Sequence, residues 1–480
     1  MKKILLIALA VAVGLCLPLT AQAKAEFELG GYIRLDAFWA SKNGMTTTFA
    51  NFVPRDNGNF ANHGRFTMDA NATRFNFTIK GPELWGGKVT GFIEADFDGN
   101  QINVNPNNGT TTATGSFNQA VFRLRHAMFK ITWPDREVLF GQYWSVNSEM
   151  IPDVADSGAF CLFGATQFRL AQVRYTQKFG EYFDASVEVG SGQNGRWGLN
   201  LNSAYPLEGE TSESPMVEAK LRYEQDLYGK AGWYGKPRGF YVGLGGGWFR
   251  TFNQSNNPYA LYNTLGTNNF FPAAGQALNL TTRNDYGDHW LALIENFLPI
   301  IPTRSKSLAG TMSLAHQWWI GQGVSAWRLD LPANDRFYTW NGAGNNTAAN
   351  PLSYTQQFIK RYGGWAQLQY YWTEEIYTNL NFGFEKAFGF NGMQRNNFLP
   401  GLAAFAGQPG FVYLNGVNID PVNSSWRAGI TQWYRPIPAV KFALQYTYMR
   451  TNYFQSLTAG SNTTNFGNCH SILANAWYMF

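Results

Sequence analysis

The feature that most constrains this chain is a period of two. From Val217 to Glu224, the apolar residues Val217, Ala219, Leu221 and Tyr223 alternate with Glu218, Lys220, Arg222 and Glu224. Successive side chains of a strand point to opposite faces, so such a segment separates a charged face from a greasy one. The split recurs along the chain. Leu29, Ile33, Leu35 and Ala37 oppose Glu28, Tyr32, Arg34 and Asp36; Val89, Ile93, Ala95 and Phe97 oppose Lys88, Thr90, Glu94 and Asp96; Phe442, Leu444, Tyr446 and Tyr448 oppose Lys441, Gln445 and Thr447. About sixteen segments of this kind can be read, at 26–40, 65–80, 86–98, 119–132, 136–142, 167–180, 183–191, 215–226, 239–252, 281–298, 307–321, 356–372, 376–390, 423–435, 438–453 and 467–480.

The connections alternate in length. Gly81 to Trp85, Trp133-Pro134-Asp135, Glu181-Tyr182, Thr373-Glu374-Glu375 and Pro436-Ile437 are short. The segments 41–64, 99–118, 143–166, 191–214, 253–280, 322–355, 391–422 and 454–466 are long and rich in Asn, Gly, Thr and Ser, the composition of irregular loops. An even number of amphipathic strands, with short turns at one end and long loops at the other, is the arrangement of outer-membrane barrels. Only a closed barrel lets strands cross lipid, because every backbone N–H and C=O must find a partner there. The connection from Leu227 to Arg238 is longer than this pattern wants.

Composition agrees. Charged residues are 14%, against roughly 25% in ordinary soluble proteins, and aromatic residues are 16%. Mean hydropathy is −0.27, and beyond residue 23 no segment offers about 18 uninterrupted apolar residues, so a stack of transmembrane helices is excluded. The aromatic content excludes disorder. Trp39, Trp85, Trp133, Trp144, Trp318, Trp319, Trp372, Trp426, Trp433 and Trp477 fall at segment ends, where rings form belts at the two water–lipid boundaries. A soluble β-sandwich is the alternative, but this many long strands exceeds what a sandwich uses. The fold class expected is all-β, a transmembrane antiparallel β-barrel.

The first residues are a targeting segment. Met1-Lys2-Lys3 is a basic start, Ile4 to Leu19 an apolar run and Ala21-Gln22-Ala23 a small-x-small cleavage site. Residues 1–23 read as a secretory signal peptide, leaving a barrel over 24–480. With Lys2 and Lys3 removed, the 37 basic residues become 35 against 32 acidic ones. A net charge near +3 gives no reason to expect nucleic acid. Cys161 and Cys469 remain after cleavage. Both fall toward the loop end in an oxidising compartment, where a disulfide between them could pin an inward loop.

No local motif points to catalysis. Gly190-Ser191-Gly192-Gln193-Asn194-Gly195 spells a dinucleotide fingerprint, but no helix pattern follows to receive a pyrophosphate. Gly81 to Lys88 nearly spells a phosphate loop, with the Lys displaced and no Ser or Thr after it. Asp96, Asp98 and Asn100 begin like a calcium loop, but Gln101 and Asn107 stand where Gly and Glu are needed. The five histidines show no metal-ligand spacing. No enzyme activity, metal or cofactor is expected.

The loop 143–166 mixes Val146, Met150, Ile151, Phe160 and Leu162 with Glu149, Asp153 and Asp156. A solvent-exposed loop has little reason to carry those apolar residues. One folded into the lumen packs them on the wall and aims its acids into the channel. The chain ends Ile472, Ala474, Ala476, Tyr478, Phe480, which resembles the C-terminal strand that the barrel-assembly machinery recognises.

Several stretches resemble the DcaP-type outer-membrane porin family. They are Phe122 to Ala127, Gly141-Gln142-Tyr143-Trp144-Ser145, Pro152, Gln172-Val173-Arg174-Tyr175, Gly31 to Ala37 and Phe92 to Phe97. The resemblance is good over about residues 30–180 and architectural beyond. It implies a sixteen-stranded, homotrimeric porin in the outer membrane of a Gram-negative-type bacterium. It also implies an inward third loop, basic residues at the constriction, and small anionic solutes such as dicarboxylates. Some members carry a periplasmic coiled coil before the barrel. Here the strands begin within a few residues of the cleavage site, so no coiled-coil contribution to assembly is expected.

Strand parity places Arg34, Arg74, Lys88, Arg123, Arg125, Arg222, Arg361 and Arg427 on the lumen face, since charges toward lipid are disfavoured. Guanidiniums near the narrow point attract anions and offer fork geometry to carboxylates. Facing acids from the loop would set a transverse field. The plainer reading is a hydrophilic wall whose cations pair with Glu94, Asp96, Glu218 and Glu224. Arg169 and Arg174 differ in parity. Two functions stay open: a porin for small hydrophilic solutes, or a barrel serving as scaffold or sheath for a threaded partner protein, which needs a lumen free of its own loop.

Overall fold

The structure is a computed structural model. It describes residues 25–42, 53, 56, 63–99, 102–104, 111–113, 120–157, 163–191, 212–253, 280–282, 285–327, 336–340, 352–388, 422–453, 464 and 466–480. The expected signal peptide, Cys161, residues 192–195 of the glycine motif and most of the long loops lie outside the described residues.

The alternating segments become one antiparallel sheet that closes on itself. Its strands are β1 (Glu26–Ala40), β2 in two pieces (Arg65–Asp69 and Arg74–Leu84), β3 (Gly87–Asp96), β4 (Arg123–Thr132), β5 (Arg136–Trp144), β6 (Arg169–Phe179), β7 (Phe183–Gly190) and β8 (Met216–Gln225). They continue as β9 (Phe240–Asn253), β10 (Asp285–Ile301), β11 (Met312–Gln322), β12 (Lys360–Tyr371), β13 (Ile376–Phe388), β14 (Val422–Ile437), β15 (Val440–Tyr453) and β16 (Phe466–Met479). Each strand pairs with the next, and β1 pairs with both pieces of β2, so the 17 elements of the sheet form sixteen barrel strands. Closure comes from β1 on β16, from Tyr32↔Met479 to Ala40↔Ser471. The amides of Gly31 and Phe480 then exchange two hydrogen bonds of 3.1 Å. The C-terminal Phe480 backbone therefore completes the seam, and no long edge of the described barrel sheet is left unpaired.

The period of two sorts side chains as expected. On β15 and β16, Phe442, Leu444, Tyr446 and Ile472 are exposed on the outer wall, while Gln445, Thr447, Thr451 and Ser471 are buried inside. The belts need one correction. Trp39, Trp85 and Trp372 are exposed at strand ends, but Trp319, Trp433 and Trp477 are buried. They share inner parity with Gln317, Thr431 and Asn475, so they fill the lumen rather than meet lipid.

Inside β10–β16, at the turn end, rings take the place of water. Tyr371 stacks on Tyr377 at 4.6 Å, Tyr377 on Trp433 at 5.7 Å, and Trp433 lies 5.5 Å from Trp477. The Lys441 ammonium sits 3.6 Å from the Trp433 ring centroid, an attraction strengthened by exclusion of water. The long connection between β8 and β9 joins this cluster. It forms a hairpin, Ala231–Trp233 with Lys236–Arg238, that turns inward. Trp233 packs on Phe297 and stacks over Trp365, and the Ser313 hydroxyl donates to the Gly232 carbonyl at 2.9 Å. A Cβ on Gly232 would stand 2.0 Å from the Tyr371 ring, so this approach requires glycine.

The Trp433 side chain is wedged among Tyr377, Trp477 and Lys441. Trp433→Ala is expected to cost about 3–5 kcal/mol, read as a lower temperature for the shift from folded to unfolded mobility in detergent gels.

Candidate pore lumen

The loop after β5 lies within the lumen and is clamped at both ends. Its first turn, Val146–Ser148, is a short 3-10 helix. The Val146 amide donates to Glu188 Oε2 at 2.9 Å, and Lys220 Nζ donates to the Val146 carbonyl at 2.9 Å. Glu218 accepts from Ser145 Oγ at 2.7 Å, Asn147 Nδ2 at 2.8 Å and Trp327 Nε1 at 2.7 Å. The inner face of β9 makes room at Gly243 for Glu295, at Gly245 for this turn and at Gly247 for Glu218 and Trp327. A Cβ at Gly245 would lie 2.0 Å from Asn147 Oδ1.

The far end of the loop is held by the opposite wall. The Asp153 amide donates to Gln367 Oε1 at 2.8 Å, and Gln369 Nε2 donates to Asp153 Oδ2 at 3.0 Å. The Ala155 amide donates to Gln445 Oε1 at 2.8 Å, and Arg427 Nη2 donates to Asp156 Oδ2 at 2.7 Å. Arg34 Nη2 donates to the Ala155 carbonyl at 2.7 Å. From the other direction, the Tyr234 hydroxyl of the inward hairpin donates to the carbonyls of Ile151 and Pro152, each at 2.9 Å. The loop therefore runs from β7–β8 to β12–β15 and β1, and the hairpin buttresses its middle.

The residues singled out in the sequence take three kinds of place. Arg74, Arg123 and Arg125 stand together on β2 and β4. Arg123 grips Asp96 with two hydrogen bonds of 2.8 and 2.7 Å and reaches Asp98 at 3.3 Å. Arg125 bonds Glu94 at 2.7 Å and Asp96 at 2.9 Å, and Arg74 lies 3.4 Å from Glu94. Guanidiniums engaged this fully have little left to offer a solute. A bulge between Glu94 and Ala95 of the β3–β4 pairing gives β4 an extra residue at Arg125. Arg34 pairs with Asp36 at 2.6 Å, while Arg361 is buried at the loop end of β12, donating to the Val422 carbonyl at 2.7 Å. Lys88 is exposed near the turn end. The two arginines of conflicting parity also separate: Arg174 is buried in the lumen, and Arg169 lies over the Trp144 ring, 5.1 Å from its centroid.

The loop acids part company. Asp153 and Asp156 turn to the β12–β15 wall, as above. Glu149 instead meets Arg174 at 2.6 Å, Lys220 at 3.7 Å and the Arg222 guanidinium. Burial alone would raise a carboxyl pKa, but Lys220, Arg222 and Arg174 outweigh it and hold Glu149 down at about 2. Arg222 also bonds Asp184 and Ser186 Oγ at 2.6 Å each. The suggested disulfide falls on Cys161, outside the described residues. Cys469 is a buried thiol that accepts from Ser41 Oγ at 3.8 Å.

Beside this cluster opens a cavity of about 320 Å³ between β4 and β8, on the turn side of the loop. Five cations line it (Lys130, Arg136, Arg174, Lys178 and Arg222) against the three carboxylates of Glu137, Glu149 and Asp184. Lys130 pairs with Glu137 at 2.9 Å. Lys178 is exposed and has no carboxylate partner among the described residues. Sequence reasoning did not single out Lys130 or Lys178. Their parity with Thr132 and Thr176 was the available signal, but nothing in the sequence shows which part of the lumen the loop leaves open. No group of three metal-ligating side chains occurs among the described residues.

The held-down pKa has a consequence for pH. A carboxylate with a folded pKa near 2 and an ordinary value of 4.5 stays ionised in the fold. Its contribution to holding the loop is present above the ordinary value and is lost only as pH falls through about 2. Any change in bilayer ion selectivity caused by Glu149→Gln is therefore expected to be equal at pH 7 and pH 4.

No family model matches the sequence, and no curated protein matches it either. Solved structures do match. The outer-membrane channel DcaP of Acinetobacter baumannii superposes with a TM-score of 0.60 at 16% identity, over 95% of this chain and 97% of that one. An anion-selective porin from Comamonas acidovorans superposes with a TM-score of 0.50 at 8% identity, over 95% and 100%. At these identities the likeness is one of fold: the chain has the closed sixteen-stranded antiparallel barrel of outer-membrane porins.

Proposed function

We propose that the protein is an outer-membrane porin through which small hydrophilic solutes diffuse, with preference for anions. The observation that carries this reading is the cavity between β4 and β8, where Arg136 and Arg174 also meet Asp135 and Glu188 outside the lining and Lys178 has no carboxylate partner among the described residues. The exposed apolar outer wall fits lipid, and the buried polar inner wall fits a hydrated passage. A surplus of positive charge in a confined, low-dielectric passage concentrates anions and repels cations. Single fixed charges suit passage better than a tight binding site, since a permeant solute must also leave.

The fold and the name of the Comamonas porin are consistent with this reading. A homotrimer, which the family resemblance implies, belongs to the same proposal. The sheath alternative is disfavoured by the lumen itself. Both the loop and the inward hairpin occupy it, so a threaded partner would have to displace their hydrogen bonds and the aromatic ladder.

Purified protein in planar bilayers is expected to give ion-conducting pores with an anion-selective reversal potential under a potassium chloride gradient. Lys178→Gln should move that potential toward zero by several millivolts or more, because its ammonium has no carboxylate partner among the described residues. An absence of pores, or cation selectivity in the parent protein, would overturn the proposal.

A further inference from the structure

Strand parity leaves a second set of cations on the wrong side of the wall. On β9–β16, the described outward-facing residues include Arg250, Lys360, Lys386 and Arg450, all at the loop end, and one carboxylate, Asp288. Arg250 is spoken for by Asp288, with hydrogen bonds of 2.7 and 3.1 Å. Among the described residues, the other three are not. Neither Lys360 nor Lys386 has a carboxylate partner among the described residues, and Arg450 donates only to Asn452 Oδ1, at 2.9 Å, while lying 4.2 Å from the centroid of the Phe466 ring.

The registers bring these three together. Phe388 pairs with Lys360 and Tyr362 with Lys386, so the two lysines are diagonal neighbours across β12 and β13, with Cβ atoms about 7–8 Å apart. Lys386 pairs with Ser424 and Arg450 with Trp426, so both flank β14 within two residues of each other. Tyr362, Trp426 and Tyr448 share the same outer face. Directly below run Phe382, Leu380, Ile430 and Leu444, exposed and apolar.

Outward cations at the edge of a lipid-facing wall are stable where an anionic group meets them. An apolar track leading straight down from them fits acyl chains, and the rings between fit the interface. We propose that Lys360, Lys386 and Arg450 form a binding site for the phosphate groups of a phosphorylated glycolipid of the outer leaflet, whose acyl chains lie along β12–β15. Two lysines and an arginine offer separate ammonium and guanidinium donors at a spacing that matches a diphosphorylated headgroup better than one small ion. The site faces away from the pore, so it anchors the barrel in its leaflet rather than serving permeation.

Native mass spectrometry in detergent tests this with three probes: diphosphoryl lipid A, its dephosphorylated form, and inorganic phosphate. The full-length protein is expected to bind diphosphoryl lipid A at least ten-fold more tightly than the dephosphorylated form, with binding weakened by salt. Lys360→Gln with Lys386→Gln and Arg450→Gln should abolish that preference. Lys360→Arg with Lys386→Arg should keep it, as should the turn-end control Lys80→Gln. Folding is followed by heat-modifiable gel mobility. If the triple variant does not fold, the single variants Lys360→Gln and Lys386→Gln should each lose affinity several-fold. Unchanged lipid binding in folded variants would overturn the site, and so would displacement of the lipid by inorganic phosphate. Pore conductance is expected to be the same in all variants, which separates this outcome from that of the porin reading.

Discussion

The structure depends on one requirement: in hydrocarbon, no backbone N–H or C=O can be left to water. A sheet meets it only by closing. The seam between β1 and β16, completed by the paired amides of Gly31 and Phe480, is where this chain does so. Closure then fixes the fate of every side chain, because a strand offers two faces and only one of them is wet. Cations and carboxylates that a soluble protein would spread over its surface are gathered inside. That is why a chain with 14% charged residues has a lumen crowded with ion pairs.

Crowding has its own consequence. Charges brought together inside must satisfy one another or hold something in place. On β7, β8 and β10, Glu188, Glu218, Glu295 and Lys220 form a nest with no exposed member, and its free valences hold the start of the inward loop. On the opposite wall, Gln367, Gln369, Gln445 and Arg427 hold its end. The loop is fastened by side chains of the wall rather than by its own regular structure, of which its described residues have one short turn. The open cavity is consequently off-centre. One half of the turn-end lumen is sealed by stacked rings and the inward hairpin, and the other keeps a polar cavity beside Glu149, Arg174 and Arg222.

Parity was legible from the sequence because it needs only local alternation. Arg34, Arg123, Arg222 and Arg427 all sit where counting by twos puts them. Ion-pair economy was not. Arg123 and Arg125 read equally as a basic constriction or as wall cations paired with Glu94 and Asp96, and only the structure shows them bound to Glu94, Asp96 and Asp98. Likewise Glu149, Asp153 and Asp156 look equivalent along the loop. Their separation into one cavity-lining acid and two tethers follows from which strand faces which, across more than 200 residues in the case of Asp153 and Gln367. The connection 227–238 was visibly too long for a tight turn, but only its glycine contact with Tyr371 explains the length: it is a second inward element.

What the sequence by itself determined is the barrel: the number of strands, their inner and outer faces, and the ends that carry turns and loops. These follow from period, length and the cost of placing charge or unpaired backbone in lipid, all local properties. What only the tertiary structure decided is how the lumen is filled. Which arginines are neutralised, where the loop lands, why Trp433 and Trp477 face inward among stacked rings, and which cations remain open to a solute all depend on contacts between strands far apart in the chain. Alternation says that a side chain points inward. It carries no information about what it meets there.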